Sequence, residues 1–563
     1  MPNNNDVNPW SIANIAAFEA SLWRVKKGLF TDLPWLDLSW KEPVKFWRGL
    51  HGYWKLQQAV QTKSMPLECY DFYHDLLVKS KDDTSLAYVW FDGDVWQAWS
   101  YAELRQAVDG LAASWEKLGV QPEETLAILH QQGPQRITAI LAGLRLGLVI
   151  TLLPPQGDSF VQRRLKNLKP QRLVMDQFYQ PRLAEVWQKL TLPNTLSSSS
   201  PMRQPYLYPA KAVVLQSFDP TSLTPDVACL VDADTLYLGA LRDGIFALGL
   251  KAGQSCAAPD WHSMESQPAL ILAVLLRGAT WVHIDLVDIE ENTERLLEQP
   301  IDVLGVSRRL RDVLRHSPPS GEKPWQYWFR HPAESADLTL WQDFIEQLQL
   351  QECYVGNLLW NSSLGGAIFF SARYRGLSHH ESVPTAGLLW QFGKIADPEL
   401  PCLDNSGRIA LGKEIEGEVV WTATPHILAI YLDAWHYLGN YPRGRAGRTY
   451  LRDEVMAVLL GCESYIALIE VFVLAGDTDP RQVLLVFGEG VDTDALLQRV
   501  EFELGAEFLP DRIECLSLFP KLDEGGGVDQ GWCQLHYQTG ELYRRERSEV
   551  FRCVSELKRM ILL

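Results

Sequence analysis

The chain has 563 residues, 47% hydrophobic and 22% charged, which is ordinary globular composition with material for two or more cores. Its formal charge of −18, from 52 Lys+Arg against 70 Asp+Glu, argues against nucleic acid or an anionic membrane surface as a general partner. Nine cysteines stand far apart with no CxxC spacing, the pattern of reduced thiols in a cytoplasmic protein rather than of a disulfide framework or zinc site.

Met1–Asp6 has neither a basic nor an apolar signal region, so no secretory signal is expected. The longest apolar runs, such as Ala269–Leu276, are too short to span a bilayer. Residues 7–65 carry Trp10, Trp23, Trp35, Trp40, Trp47 and Trp54, partly at helical spacing, and read as an amphipathic layer or a partner-docking face.

Residues 86–100 alternate about Asp92-Gly93-Asp94 and predict a β-hairpin. Ser100 with Glu103 three residues on is a capping box, opening a helix with Leu104, Val108, Leu111 and Ala112 on one face. A buried strand at 125–129, a helix at 134–146, a strand at 148–153 and another at 172–175 indicate parallel βαβ construction. The Ser-rich stretch within 191–210 reads as a solvated loop. A helix over 235–249, a second ending at Arg277, strands at 280–285 and 301–306 and a helix at 309–316 follow. Beyond about residue 385 short strands and Gly/Asp turns predict a β-rich subdomain, and beyond about residue 452 a smaller α+β unit begins. That unit has strands at 466–475 and 482–487 and a helix at 492–504.

In this order the pieces resemble the adenylate-forming (ANL) superfamily of acyl-CoA synthetases, peptide-synthetase adenylation domains and luciferases. Trp99–Leu104 resembles its "TYxEL" junction, and Leu141–Gly147 with Leu152–Pro155 its "LKAGAAYVPLDP" segment. Pro259-Asp-Trp-His262 resembles "PLFH", Glu416–Val420 the "GELxVxG" stretch, and Arg452–Met456 the "GRxDDxIKVxG" hinge. Agreement in order and spacing makes the resemblance one of fold, while function rests on the site. It implies an α/β fold: a large N-terminal domain of stacked βαβ sheets plus a β-rich subdomain, then a small mobile α+β C-terminal domain. The expected boundaries are 1–70 for the Trp-rich extension, 71–450 for the AMP-binding-like domain and 451–563 for a lid-like domain.

Activating a carboxylate with ATP brings two anions together, so the family needs a phosphate-wrapping loop, Mg²⁺ and a cation. The matching loop here keeps Thr221, Ser222 and Thr224 but lacks glycines and lysine, and Pro225-Asp226 stand at its exit. Within Leu359–Gly366, Ser362 stands for the Thr of "YGxTE" and Ser363 for its metal-holding Glu. Asn440 replaces the ribose-binding Asp. Gly527 falls where the catalytic Lys belongs, leaving Lys521 six residues upstream as the candidate catalytic lysine, and Glu463 replaces an Arg. Trp261, His262, Gly365 and Gly366 are the candidate substrate-pocket residues. Arg452 is a nucleotide-site remnant, and Glu454 matches the hinge's acidic pivot.

The resemblance therefore implies one of three functions. The first is a pseudoenzyme or accessory subunit binding an acyl substrate, CoA or an acyl/peptidyl carrier protein, with no certain cofactor and no metal. The second is an atypical AMP-forming acid–thiol ligase, using ATP/AMP and Mg²⁺, with Ser197–Ser200 or Lys521 recruited differently. The third is non-adenylating thioester chemistry at Cys256, with His262 and His283 near it in sequence.

Overall fold

The structure is a computed structural model. It describes residues 69–78, 82–153, 158–176, 183–218, 228–261, 266–332, 338–371, 374–375, 383–384, 390–395, 406–415, 418–431, 434–440, 452–459, 465–471, 481–488, 491–505, 508–510, 512–522, 528–542 and 545. The Trp-rich stretch 7–65, the loop holding Thr221, Ser222 and Thr224, and His262, Glu463 and Gly527 lie outside the described residues. The chain divides into two compact units, 1–155 with 164–439, and 156–163 with 440–563.

In the larger unit α1 (Phe72–Leu77) precedes a hairpin of β1 (Leu86–Phe91) and β2 (Trp96–Ser100). Asp92 closes its turn, accepting from the N–H groups of Asp94 and Val95. Ser100 and Glu103 then form the capping box of α2 (Tyr101–Lys117), as the spacing requires. The predicted run β3 (Thr125–Leu129), α3 (Pro134–Leu146), β4 (Val149–Leu152), α4 (Asp158–Leu168) and β5 (Arg172–Met175) follows. Pro134 fits α3 at its first position, where no intrahelical N–H is needed, and Gly147 ends it in the left-handed region at φ 82°.

Next come β6 (Val213–Phe218), β7 (Ala228–Asp232) and α5 (Ala233–Arg242), whose end widens into a π-helical turn over Asp243–Ala247. The unit continues with β8 (Ser255–Ala257), α6 (Ala269–Leu276), β9 (Thr280–His283), β10 (Val303–Gly305), α7 (Arg308–His316), β11 (Tyr327–Arg330) and α8 (Leu338–Gln347). β12 (Tyr354–Asn361) and β13 (Gly366–Phe370) flank a single 3-10 turn, Ser362–Leu364.

Two sheets result. One has the order β5-β3-β4-β6-β7; the other, ten-stranded, runs β13-β12-β11-β10-β8-β9-β1-β2 with short strands at its β13 end. Adjacent strands from β12 to β1 are parallel. Alternate side chains sort to the two faces as strand geometry demands. On β11 Tyr327 and Phe329 enter the core shared with α3, α5 and α6, while Trp328 joins Trp341, Leu310 and Leu314 under α7 and α8. This mixed α/β construction is the fold class that the sequence implied.

The β-rich region is a four-stranded antiparallel sheet of β14 (Trp390–Ile395), β15 (Ser406–Ile415), β16 (Glu418–Tyr431) and β17 (Ala434–Asn440). Its strands are longer than the short ones expected. Gly407 and Gly412 sit inside β15 instead of ending it, and a register shift at Arg408/Ala410 absorbs the irregularity.

In the smaller unit α9 (Arg452–Leu459) precedes β18 (Tyr465–Val471), β19 (Arg481–Phe487), α10 (Thr493–Leu504), β20 (Arg512–Leu516) and α11 (Gln530–Gln538). The three strands form one sheet, with β18 antiparallel and β20 parallel to β19.

Candidate active site

The turn joining β12 to β13 is held from below by α5. Gly239 of α5 lies so close that a Cβ there would meet Gly365 O at 2.1 Å. A Cβ on Gly366, at φ +138°, would meet the Asp243 carboxylate, so Gly239 is fixed by a close backbone approach and Gly366 by its φ and the Asp243 side chain. Charge then seals the contact. Arg242 Nε donates to Asp243 Oδ1 at 2.5 Å, Ala367 N–H donates to Asp243 Oδ2 at 2.8 Å, and Arg242 Nη2 donates to Ala367 O at 2.7 Å. Asp243 is 0% exposed; burial pushes its carboxyl up, against the opposing pull of Arg242. Gly365 and Gly366 thus serve the packing of the turn.

Within the turn Asn361 Oδ1 accepts from Ser363 N–H at 2.9 Å and from Ser363 Oγ at 2.5 Å. Ser363, where the family's acidic ligand would stand, is therefore spent as part of an Asn-capped turn. Ser362 differs: its Oγ is buried and has no hydrogen-bond partner. An orphaned buried hydroxyl costs about 1–3 kcal/mol, and Ser362 is the one residue of this turn whose hydroxyl is left without a partner.

Trp261 follows β8 and stands edge-on to Phe329 at 4.8 Å between ring centroids. Beside it Asp260 accepts from Ser307 Oγ at 3.0 Å and pairs with Arg309 at 3.3 Å. His331, just past β11, is buried, and burial with the charge of nearby His426 on β16 holds its pKa down to about 3. It is a neutral imidazole at the end of the sheet. Cys256 lies inside β8 with its thiol pushed up by burial, and His283 is pushed down by burial, so neither offers the exposed low-pKa thiolate that thioester chemistry needs.

In the smaller unit Lys521 Nζ pairs with Asp529 Oδ2 at 2.9 Å, and Asp529 N–H donates to Lys521 O across the base of the same loop. Asp529 also caps α11, accepting from Trp532 N–H. Arg452 opens α9 with Glu454 in its first turn, and Asn440 ends β17. The structure thus groups Ser362, Gly365 and Gly366 in one turn and places Trp261 after β8, three strands from β12 in the same sheet, against Phe329 of β11.

Sequence reading missed Arg242, Asp243 and His331. The signal for the first two was present: a charged pair within the apolar run Leu241–Leu250 is bearable only if each charge finds a partner indoors.

The larger unit thus has two mostly parallel sheets, an antiparallel β-rich sheet after them, and a Ser-Ser-Leu-Gly-Gly turn between the last long strands of the larger one. Residues 77–238 match the family described as AMP-binding enzyme. No curated protein matches the chain in sequence. Among solved structures the chain is similar to NpsA-ThdA, an artificially fused adenylation–PCP di-domain from Klebsiella oxytoca. The identity is 14%, the TM-score 0.63, and the match covers 79% of this chain and 94% of that one. It is similar to a double mutant of o-succinylbenzoate CoA synthetase (MenE) from Bacillus subtilis bound with a product analogue, at 14% identity and TM-score 0.63, covering 82% and 97%. It is also similar to the fatty acid AMP ligase of Legionella pneumophila, at 13% identity and TM-score 0.60, covering 86% and 97%. The chain has the adenylate-forming superfamily fold, and no described helix is long and apolar enough to cross a membrane.

That fold implies ATP and Mg²⁺. Ser362 fits a single phosphate or carboxylate oxygen. The turn does not fit Mg²⁺, because its hydroxyl and amide donors bond each other and its nearby carboxylate, Asp243, is held by Arg242 and Ala367.

Proposed function

We propose that this chain is an adenylate-forming-fold protein that no longer adenylates. On this reading it is a pseudoenzyme or accessory subunit of a biosynthetic assembly, binding an acyl group, CoA or a carrier protein in the cytoplasm. The observation that carries the reading is the Asn361–Ser362–Ser363 turn: where charge is needed to hold Mg²⁺, there are two neutral hydroxyls and an amide. The other departures agree with it, namely a phosphate loop without glycine or lysine, Asn440 for an acid, and Gly527 at the lysine position. Electrostatic groups of this kind each contribute roughly 10²–10³ in rate, and several are replaced at once.

What the similar structures contain supports the partner classes: one is fused to a PCP and another holds a CoA-type product analogue. The alternative, an atypical AMP-forming acid–thiol ligase, draws on the unpartnered Ser362 hydroxyl. It requires Lys521 to leave Asp529 and reach a nucleotide. Thermal shift separates the two. The proposal expects no rise in Tm with ATP and Mg²⁺ and a rise with CoA or an acyl-carrier protein. A ligand at 100 Kd stabilises by about 2.7 kcal/mol, so a clear rise with ATP and Mg²⁺ alone would overturn it.

A further inference from the structure

Six arginines are buried among the described residues, and five have evident company. Arg145 pairs with Asp109, Arg242 with Asp243 and Arg311 with Asp312. Arg164 lies over the Phe218 ring, and Arg330 bonds Asn357 and lies over Trp341. Arg136 is the exception. It is 3% exposed, and its Nε and Nη2 are buried with no hydrogen-bond partner. Among the described residues it has no ion pair and no cation–π contact, and Tyr88 is the group whose charge acts on it.

An unpaired guanidinium indoors is costly, and a fold that keeps one has left it a partner to acquire. Its surroundings suit an anion. Arg136 is the third residue of α3, whose N-cap Gly133 supplies no side-chain cap and whose first residue is Pro134. Arg136 thus belongs to the turn whose free N–H groups and positive dipole end favour an anion. Tyr88 on β1, His283 at the end of β9 and His130 just past β3 are the titratable groups on which its charge acts. Burial drives both histidines toward the neutral form, which can still donate a hydrogen bond. Two acids act on these groups: Asp285, largely exposed and directed at His283 at 3.6 Å, and Asp176, which acts on His130.

We propose that Arg136 and the first turn of α3 form an internal receptor for a small oxyanion, the carboxylate or phosphate group of a ligand. The receptor is separate from the Ser362 turn: β9 lies four strands from β12 in the sheet, about 19 Å at ordinary strand spacing. It does not depend on whether the chain adenylates, and its test uses no nucleotide.

The experiment is calorimetric titration and thermal shift of the full chain with inorganic phosphate, succinate and butyrate, each against sodium chloride of equal ionic strength. One-site binding of phosphate or of a carboxylate is expected, and the stronger of the two identifies the source. Arg136→Met should leave the anion-free Tm unchanged or higher and weaken binding by about tenfold or more, the worth of a charged hydrogen bond. Arg136→Lys should respond in between. The proposal is overturned if no anion exceeds chloride, or if Arg136→Met binds as the parent does. It is also overturned if Arg136→Met fails to fold while Arg136→Lys folds and binds nothing.

Discussion

Acidification should unfold this protein in part through His331, and the size of the effect can be worked out. An exposed histidine in the unfolded chain takes a proton at about 6.5. In the folded chain burial and the neighbouring His426 hold His331 down to about 3. Between these values the unfolded chain binds the extra proton, so stability falls as pH falls. At pH 5 the folded form forgoes about 1.5 pH units of protonation, a loss of about 2 kcal/mol relative to neutral pH. The assay is urea unfolding at pH 7 and pH 5 of the parent and of His331→Gln, which keeps a hydrogen-bonding group but cannot titrate there. His130 and His283, also pushed down, act in the same direction in both proteins and cancel in the comparison. The parent should lose about 2 kcal/mol more than the variant. Equal losses would refute the claim that His331 is buried as a neutral imidazole against β16.

Three further outcomes test the candidate site. Gly239→Ala should lower Tm, with overpacking costing about 1–3 kcal/mol, because its Cβ would enter the space of Gly365 O. An unchanged Tm would mean that α5 does not support the turn so closely. Asp243→Asn should cost about 3–5 kcal/mol in denaturant unfolding, since it strands Arg242 indoors, while Arg242→Met with Asp243→Leu together should recover much of that. Ser362→Ala should leave the ligand-free stability unchanged or raised by up to about 1 kcal/mol, because the hydroxyl it removes is already unpaired; a marked loss would show that Ser362 has a structural partner.

Much of the fold was legible because local rules decided it. The Asp-Gly-Asp turn, the Ser100/Glu103 box, and Pro134 with Gly147 at the ends of α3 are signals of a few residues each. The candidate turn was legible in part. Ser362-Ser363 ahead of a buried strand reads as a turn, and a turn is found. What holds it was not visible, since Gly239 meets Gly365 across 126 residues and Asp243 meets Ala367 across 124, and no periodicity encodes such a meeting. Arg136 escaped for a related reason. An arginine in a first helical turn reads as solvent-facing, and only the placement of β1 and β9 around it encloses the charge.

ATP–pyrophosphate exchange over a broad panel of carboxylic acids, with magnesium present, bears most directly on the central claim. The account predicts exchange at background with every acid, and no change when Asn440 or Lys521 is substituted. Exchange above background with any acid, lost in Lys521→Ala, would contradict it.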